Sequence, residues 1–151
     1  MNEPEFRRLQ ISDLDSFIVL RLEQMREEGA VSPKSLSDAL RDYYEKSLAD
    51  GSFVSWIACD NGRIVATSGV SFVRKPPYPS NPTGKIGLIS GMYTLPEYRR
   101  QGIASKLLRL ISEEAKRNCC SLLEVTSSDA GVYLYTSFGF SSDTHVMQYK
   151  L

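Results

Sequence analysis

A basic, glycine-containing turn is the part of this sequence best suited to chemistry on an anion. It carries Arg99 and Arg100 and then Gly102 and Ala104, between a β-prone run over residues 86–94 and an amphipathic helix pattern. The first turn of a helix has free N–H groups and the positive end of the helix dipole, both of which favour an anion. Because glycine and alanine are small, a phosphate can approach the main chain. The sequence therefore predicts a phosphate-binding turn.

Two common phosphate-binding motifs are absent from this turn. A P-loop ends in Gly-Lys followed by Ser or Thr, and a dinucleotide fingerprint has three spaced glycines with an acidic residue about 20 positions later. Instead the turn resembles the acetyl-CoA signature of the GNAT superfamily of N-acetyltransferases, which reads Arg or Gln, two residues, Gly, one residue, then Gly or Ala. Arg99, Gly102 and Ala104 match it, and the run from Tyr135 to Phe140 resembles the family's Tyr-x-x-x-Gly-Phe segment. The recognisable part spans residues 86–140.

The resemblance implies a fold and an activity. The fold is α/β with a mixed sheet, in which antiparallel N-terminal strands lead to a parallel central strand pair flanked by helices, and residues 1–151 form a single N-acetyltransferase domain. The activity is direct transfer of an acetyl group from acetyl-CoA (coenzyme A) to a primary amine of a small molecule or peptide. Its implied cofactor-binding residues are Met92, Tyr93 and Thr94 along the acetyl-pantetheine arm, Arg99, Arg100, Gln101, Gly102, Ile103, Ala104 and Ser105 around the pyrophosphate, and Ser128 and Tyr135. Many relatives have an asparagine near the place of Ser128, and a serine could bond similarly with less reach.

Tyr135 is the candidate catalytic acid for the departing thiolate. It stands four residues before Gly139, as the tyrosine of the family segment does. Tyr133 is the competitor for this role, and a core aromatic on a helix face is the structural alternative. A positioned general acid typically raises the reaction rate about 100-fold to 10,000-fold. Because a thiolate is a tolerable leaving group, we expect an effect at the low end of that range.

The general base is left open by the sequence. Many relatives have a glutamate on the strand before the cofactor turn, whereas residues 86–94 contain no carboxylate. Glu23, Glu27 and Glu28 on the first helix could line an amine site, although a charge run on a helix is usually a solvated face. Glu124 alternates with apolar neighbours, and a water is a further alternative. His145, the only histidine, has a suitable side chain.

We take Glu23, Glu27 and Glu124 as candidate substrate-binding residues. Carboxylates at the amine site lead us to expect a cationic small molecule or an exposed amino terminus as acceptor, in preference to an acidic one.

The composition narrows the classes of function that remain possible. The 151 residues contain 18 basic and 18 acidic side chains, so no general attraction to nucleic acid or to an anionic membrane is expected. There is no apolar run long enough to span a bilayer and no signal-peptide pattern. The cysteines, Cys59, Cys119 and Cys120, suggest reduced thiols and a cytoplasmic enzyme, and no metal is expected because ligands of the usual kinds are too few.

Two other functions remain as alternatives to the enzyme. One is a catalytically inactive acyl-CoA-binding module, suggested by the missing strand carboxylate. The other is a small nucleic-acid-binding protein, which the neutral charge disfavours. A homodimer is an arrangement that the sequence leaves open.

The pattern of apolar residues predicts the order of elements along the chain. A first strand should include Phe6, Leu9 and Ile11, and Ser12 should cap a helix that ends near Gly29. Further expected elements are a helix from Ser32-Pro33 to about Leu48, strands over 53–58 and 64–73 joined by an Asn61-Gly62 turn, a proline-rich loop over 74–84, a strand over 86–94, a helix after the basic turn, a strand over 122–126, a helix over 130–138 and a final strand over 145–151.

Overall fold

The computed structural model describes residues 3–142 and 145–151. Its strands are β1 (Glu5–Arg8), β2 (Phe53–Val54), β3 (Trp56–Asp60), β4 (Arg63–Thr67), β5 (Val70–Arg74), β6 (Lys85–Ile89), β7 (Tyr93–Thr94) and β8 (Leu122–Val125). Its α-helices are α1 (Leu14–Glu27), α2 (Leu36–Asp50), α3 (Ile103–Arg117) and α4 (Val132–Phe138).

The strands form two four-stranded sheets. One has the order β1-β3-β4-β7 and the other the order β2-β5-β6-β8. Among the described residues, all strand pairings are antiparallel except that of β6 with β8, which run parallel with Ile86 opposite Leu122 and Ile89 opposite Val125. This parallel pair with helix α3 as its crossover confirms the mixed α/β fold that the sequence predicts.

The division into two sheets arises because each of the three long strands expected from the sequence is interrupted. Between β4 and β5, the Ser68 hydroxyl donates to the Trp56 carbonyl at 2.7 Å and accepts from the Trp56 N–H at 3.2 Å, replacing ladder bonds. Next to it, a Cβ on Gly69 would lie 2.7 Å from the Phe53 ring, so only glycine fits there. The interruption after β6 lets β7 pair with β4 instead of continuing beside β8, which opens the sheet between β7 and β8.

The N-terminal boundaries differ from the sequence prediction. β1 ends at Arg8, and a single 3₁₀ turn over Ile11–Asp13 precedes α1. The cap is not Ser12: the Asp13 carboxylate accepts from the Gln10 N–H at 2.8 Å, and it is also paired with Arg7. Asp13 is thus the N-cap residue of α1, and its carboxylate reaches back to Gln10 instead of bonding a helix N–H.

The remaining boundaries are closer to expectation. Helix α2 begins at Leu36, after its N-cap Ser35, and not at Ser32-Pro33. The hairpin turn between β3 and β4 is confirmed, with φ of 49° at Asn61 and 79° at Gly62. The proline-rich segment is a loop between β5 and β6, as predicted.

The predicted final strand is wrong for this structure. Residues 145–151 form a turn and irregular chain, and all seven residues are exposed. The alternation that predicts a strand is present, but its apolar side chains remain exposed among the residues that the structure describes: Val146 is 73% exposed and Tyr149 90%. A strand needs a partner strand and a face to cover before it becomes stable.

The core has two parts, one in each sheet. Leu14 and Phe17 of α1 pack with Leu107 of α3 against the first sheet. Ile111 of α3 packs with Val70 and other side chains against the second sheet. Helix α3 thus joins the two sheets below the opening between β7 and β8.

Within the described residues, no helix is both long enough and apolar enough to cross a membrane.

Candidate functional site

The basic turn leads directly into helix α3, as the sequence predicts. Gly102 is the N-cap residue with φ of 79°, and the first helical hydrogen bond runs from the Lys106 N–H to the Gly102 carbonyl at 3.1 Å. The N–H groups of Ile103, Ala104 and Ser105 therefore have no acceptor inside the helix. Apart from its two chain neighbours, no atom of the described residues lies within 4 Å of a Cβ placed on Gly102, so the space at this position is open. The donor set and the space fit a diphosphate.

The two arginines of the turn have different surroundings. The Arg99 side chain turns back: its Nε donates to the Thr94 carbonyl at 2.8 Å, and its guanidinium pairs with Glu27 at 2.9 Å. Arg100 is exposed, has φ of 64° and makes no ion pair within the described part of the chain. Arg100 is the cation available to an anion on the turn, whereas Arg99 holds the turn in place.

Glu27 joins helix α1 to β7. Its carboxylate accepts a hydrogen bond from the Tyr93 hydroxyl at 2.7 Å in addition to the bond from Arg99. These two donors lower the pKa of Glu27. Burial, and then the nearby Glu27 carboxylate, raises the pKa of Tyr93 to about 12. Glu27 is therefore an ionised carboxylate whose hydrogen bonds are used within the fold.

Gln24 links α1 to the main chain at the strand interruption, and sequence reasoning missed it. Its amide donates to the Met92 carbonyl at 3.1 Å and to Glu28 at 3.3 Å, and it accepts from Arg21 at 2.6 Å. Only 9% of Gln24 is exposed. The available signal was helical spacing, since Arg21 and Gln24 stand four and seven residues after the buried Phe17.

Arg21 packs against the backbone of the interruption. A Cβ on Gly91, which has φ of 66°, would lie 3.2 Å from Arg21 Cδ. The buried Nε of Arg21 has no hydrogen-bond partner in the described residues. No local sequence pattern predicts this contact, because it depends on how α1 crosses the sheet.

The two candidate tyrosines of helix α4 have opposite environments. Tyr135 is 7% exposed, whereas Tyr133 is 80% exposed. Burial, and then the charge of Glu28, raises the pKa of Tyr135 to about 12. Tyr135 packs in the same cluster as Ile89, at the end of β6, and Met92 packs against that cluster. Its phenol therefore lies beside the point where the sheet opens.

Ser128 lies close to Tyr135 because of a glycine that sequence reasoning also missed. A Cβ on Gly131 would lie 3.1 Å from the Tyr135 ring and 3.4 Å from the hydroxyl oxygens of Ser127 and Ser128. Gly131 thus allows the serine pair and the tyrosine to approach one another. A glycine just before a helix pattern was the only sequence signal.

The remaining candidate carboxylates lie at the surface. Glu23 is 3.9 Å from Arg26, and Glu124 is 3.6 Å from Lys75. In the sheet, Glu124 lies opposite Leu88, and Leu88 lies opposite Ser71. The Ser71 hydroxyl forms a hydrogen bond with the Tyr43 hydroxyl of α2 at 2.8 Å. Since cross-strand neighbours share a face, Glu124 lies on the α2 side of the sheet. His145 lies in the exposed C-terminal segment.

Solved structures of acetyltransferases resemble this fold closely. A predicted acetyltransferase from Clostridium acetobutylicum, solved with acetyl-CoA, has a TM-score of 0.94 and 29% sequence identity, with 97% of this chain and 96% of that chain covered. A GCN5-related N-acetyltransferase from Ralstonia eutropha JMP134 has a TM-score of 0.88 and 29% identity, with 97% and 98% covered. Glucosamine-6-phosphate N-acetyltransferase from Arabidopsis thaliana, at 20% identity, has a TM-score of 0.77 over 99% of both chains and shares the fold.

No match was found among curated proteins. The family model described as Acetyltransferase (GNAT) family matches residues 18–140, which include most of α1, the basic turn and the Tyr135 segment. This match covers most of the chain, and it agrees with the open N-terminus of α3 and the parallel strand pair. The chain belongs to the GNAT family of acetyltransferases.

Proposed function

We propose that this acetyltransferase moves the acetyl group of acetyl-CoA directly to a primary amine of a small molecule or peptide. The observation that carries the proposal is the open anion-binding turn at the start of α3, beside the opening between β7 and β8. When bound, acetyl-CoA supplies a thioester whose carbonyl carbon is attacked by the amine nitrogen as the carbon–sulfur bond breaks. Two protons must then be handled by the chain, one leaving the amine and one reaching the sulfur.

The residues that would hold acetyl-CoA lie along the opening. The N–H groups of Ile103, Ala104 and Ser105, with Arg100 beside them, suit the pyrophosphate. The main chain at Met92–Thr94 suits the pantetheine arm. The hydroxyl of Ser128 is available on the α4 side, where Gly131 brings it near Tyr135.

Tyr135 is the residue that would protonate the departing sulfur. With a pKa of about 12, its phenol keeps its proton at neutral pH and can donate it. Tyr133 projects into solvent. The difference in burial supports Tyr135 over Tyr133 for this role.

The structure also supports a candidate for the general base. An alkyl ammonium with a pKa near 10 is about 3 units from being neutral at pH 7, a handicap of about 4 kcal/mol that a base must offset. On α1, Glu23 pairs with Arg26 and Glu27 is held by Tyr93 and Arg99. Glu28 makes no ion pair within the described chain.

Glu28 is also the carboxylate best placed for the reaction. It accepts one hydrogen bond, from Gln24, whose amide also bonds the Met92 carbonyl. It lies close enough to Tyr135 to act on its pKa. We therefore assign to Glu28 the acceptance of the amine proton, directly or through a water.

The charge around the opening favours a cationic acceptor. Glu28 is an exposed carboxylate without an ion pair in the described residues, whereas Glu23, Glu27 and Glu124 are paired with Arg26, Arg99 and Lys75. An amine with a second positive charge would gain attraction there, and an acidic amine would be repelled.

We infer a cytoplasmic location from the cysteines. Cys59 is buried, Cys119 is exposed and Cys120 is intermediate, and all three are free thiols. Exposed free thiols suit a reducing compartment.

The proposal is tested with acetyl-CoA and a panel of amines, following release of free thiol. Turnover on mono- and diamines, faster than on aspartate or glutamate, is expected. Fastest turnover on the acidic amines would overturn the acceptor class. Calorimetric binding of acetyl-CoA without turnover on any amine would favour the inactive acyl-CoA-binding module instead.

The base is tested separately with a matched pair of variants. Glu28→Gln should lower kcat/KM about 10-fold to 100-fold, because a positioned base is lost. Glu23→Gln removes the same charge from the same helix and should change kcat/KM less than about twofold. Equal losses in the two variants would show that only the charge of α1 matters.

A further inference from the structure

Helix α1 carries a cation that the proposed reaction does not use. Arg21 is only partly exposed, and its Nε is buried and has no hydrogen-bond partner among the described residues. In that part of the chain its guanidinium forms no ion pair, and its Nη1 donates to the Gln24 side-chain oxygen at 2.6 Å. Taking a guanidinium out of water without a carboxylate to face it costs free energy. Arg21 is therefore a candidate for binding an anionic group of a ligand.

Arg21 lies beside the place proposed for the acetyl group. A Cβ on Gly91 would lie 3.2 Å from Arg21 Cδ and 3.7 Å from its Nε, so the side chain packs on the strand interruption. Tyr44 of α2 is 4% exposed; burial raises the pKa of its phenol, and the nearby Arg21 charge offsets part of that rise. Gly91 precedes Met92, at the end of the pantetheine segment farther from the phosphate turn. An anion bound by Arg21 would therefore lie on the α1–α2 side of the sheet, next to the acyl end of the cofactor.

A polar row on α1 has Arg21 at one end and Glu28 at the other. Gln24 connects them: its side-chain oxygen accepts from Arg21, and its amide donates to Glu28 at 3.3 Å and to the Met92 carbonyl at 3.1 Å. Positions 21 and 28 are about two helical turns apart, about 10 Å along the helix axis. A positive and a negative group thus lie on either side of the contact between α1 and the Met92 main chain. This row suits a ligand that has one anionic and one cationic end.

A carboxylate is the anion that fits this single cation best. A planar guanidinium binds a carboxylate through two parallel N–H···O bonds, and the unpartnered Nε–H of Arg21 is one such donor. One guanidinium balances one negative charge, whereas a phosphate dianion would need a second cation. The other arginine in the second half of α1, Arg26, has a side chain that is 79% exposed and lies 3.9 Å from Glu23, so it does not supply that second charge.

We propose that Arg21 binds a carboxylate of the acceptor, and that the acceptor is an amino acid with a basic side chain. This inference rests on the proposed acetyl transfer and narrows its acceptor class. The carboxylate pairs with Arg21, while the reacting amine lies toward Glu28, which takes its proton. The second amine of a basic amino acid keeps the net positive charge that Glu28 favours. Aspartate and glutamate remain poor acceptors, because only one of their two carboxylates meets a cation.

Binding to the full chain saturated with CoA tests this site without turnover. Calorimetry compares lysine with lysinamide, in which a neutral amide replaces the carboxylate and both amines remain. Lysine should bind at least about 10-fold more tightly, although lysinamide has the higher net positive charge. Equal or tighter binding of lysinamide, or no binding of lysine, would overturn the carboxylate site. Acetyl-CoA turnover on lysinamide or on simple diamines would then still support the proposed transfer, so the two proposals can fail separately.

Variants of α1 separate Arg21 from the general charge of the helix. Arg21→Gln should bring the affinities for lysine and lysinamide to within about twofold of each other. Arg21→Lys keeps the charge without the planar fork and should reduce the preference for lysine without abolishing it. Arg26→Gln removes the same charge from an exposed position and should keep the preference. If Arg21 only shaped the fold, its replacement would weaken both ligands equally, and an unchanged ratio in Arg21→Gln would overturn the proposal.

Discussion

At the scale of single residues, burial separates two tyrosines that are two positions apart on one short helix. Tyr135 lies among apolar side chains of the second core cluster, whereas Tyr133 points to water. A buried phenol keeps its proton because the charged form is poorly solvated, and the Glu28 carboxylate adds to this effect. Tyr135 is therefore suited to giving a proton and not to taking one.

Replacing this hydroxyl should slow turnover without affecting cofactor binding. Tyr135→Phe keeps the ring packed and removes only the donor, so we expect kcat to fall roughly 10-fold to 100-fold while acetyl-CoA affinity hardly changes. Calorimetry and steady-state rates measure the two effects. Tyr133→Phe is the control and should retain its rate, and a reversal between the two variants would make Tyr133 the acid.

The pH dependence of this loss follows from the raised pKa. The pKa of Tyr135 rises from 10.0 to about 12, so the phenol stays protonated up to that pH. The ratio of wild-type to Tyr135→Phe rates should therefore stay constant between about pH 7 and pH 10. A ratio that falls toward one near pH 9 would mean that the group titrates earlier and that its environment is more polar than described.

Sequence reasoning reached Tyr135 but not its neighbours, for a physical reason. The family segment gave the position of Tyr135, and helical spacing alone could not choose between the two tyrosines. Gln24 and Gly131 act through contacts with residues distant in the sequence, at Met92 and Tyr135. Such contacts depend on how the elements pack, and no local pattern encodes them.

At the scale of elements, the start of helix α3 combines an unusual backbone with open space. Gly102 has a left-handed φ of 79° and no atom near its Cβ position. An anion can therefore approach the N–H groups of the first turn, and a side chain at this position would occupy the same space.

Gly102→Glu should weaken acetyl-CoA binding by at least about an order of magnitude, about 1.4 kcal/mol, because it adds bulk and a like charge at the anion site. Gly51→Glu is the control for the backbone strain that a non-glycine residue causes at this φ. Gly51 caps the end of α2 with φ of 78° and also has no atom near its Cβ position. Calorimetric titration of both folded variants with acetyl-CoA measures the two affinities. If both bind as tightly as wild type, the turn is not the phosphate site.

The element boundaries show where sequence patterns succeed and fail. The strand, turn and helix around Gly102 were predictable because the apolar periodicity and the position of the glycine indicate the same local structure. The two-sheet division was not, since it depends on Ser68 bonding across to Trp56 in another strand. Arg99 of the turn is paired with Glu27 of α1, and no local sequence pattern predicts this contact.

At the scale of the whole molecule, a buried carboxylate on α3 joins the helix to the first sheet. Glu114 is 3% exposed, accepts hydrogen bonds from Arg8 at 2.8 Å and Trp56 at 3.0 Å, and forms an ion pair with Arg117 at 3.0 Å. Arg8 lies in β1 and Trp56 in β3. This cluster ties α3 to β1 and β3.

Glu114→Gln should destabilise the fold by about 1–3 kcal/mol, because the buried carboxylate loses the charge that strengthens its bonds with Arg8 and Arg117. Urea unfolding at neutral pH measures the change. Glu113→Gln, an exposed neighbour on the same helix, is the control and should lie within about 0.5 kcal/mol of wild type. Equal stability of Glu114→Gln and Glu113→Gln would show that the cluster does not hold the helix.

The same cluster determines how the gap in unfolding free energy between wild type and Glu114→Gln depends on pH. Burial raises the pKa of Glu114, but the bonds from Trp56, Arg8 and Arg117 lower it more, and the net pKa lies below the ordinary 4.5. A lowered folded pKa gives stability that is present above the unfolded pKa and lost as pH falls through the folded value. The gap between wild type and Glu114→Gln should therefore be full at about pH 6 and shrink as pH falls below about 4. A gap that stays constant across this range would mean that Glu114 contributes through shape alone, and that the orientation of α3 toward its anion is fixed by apolar packing.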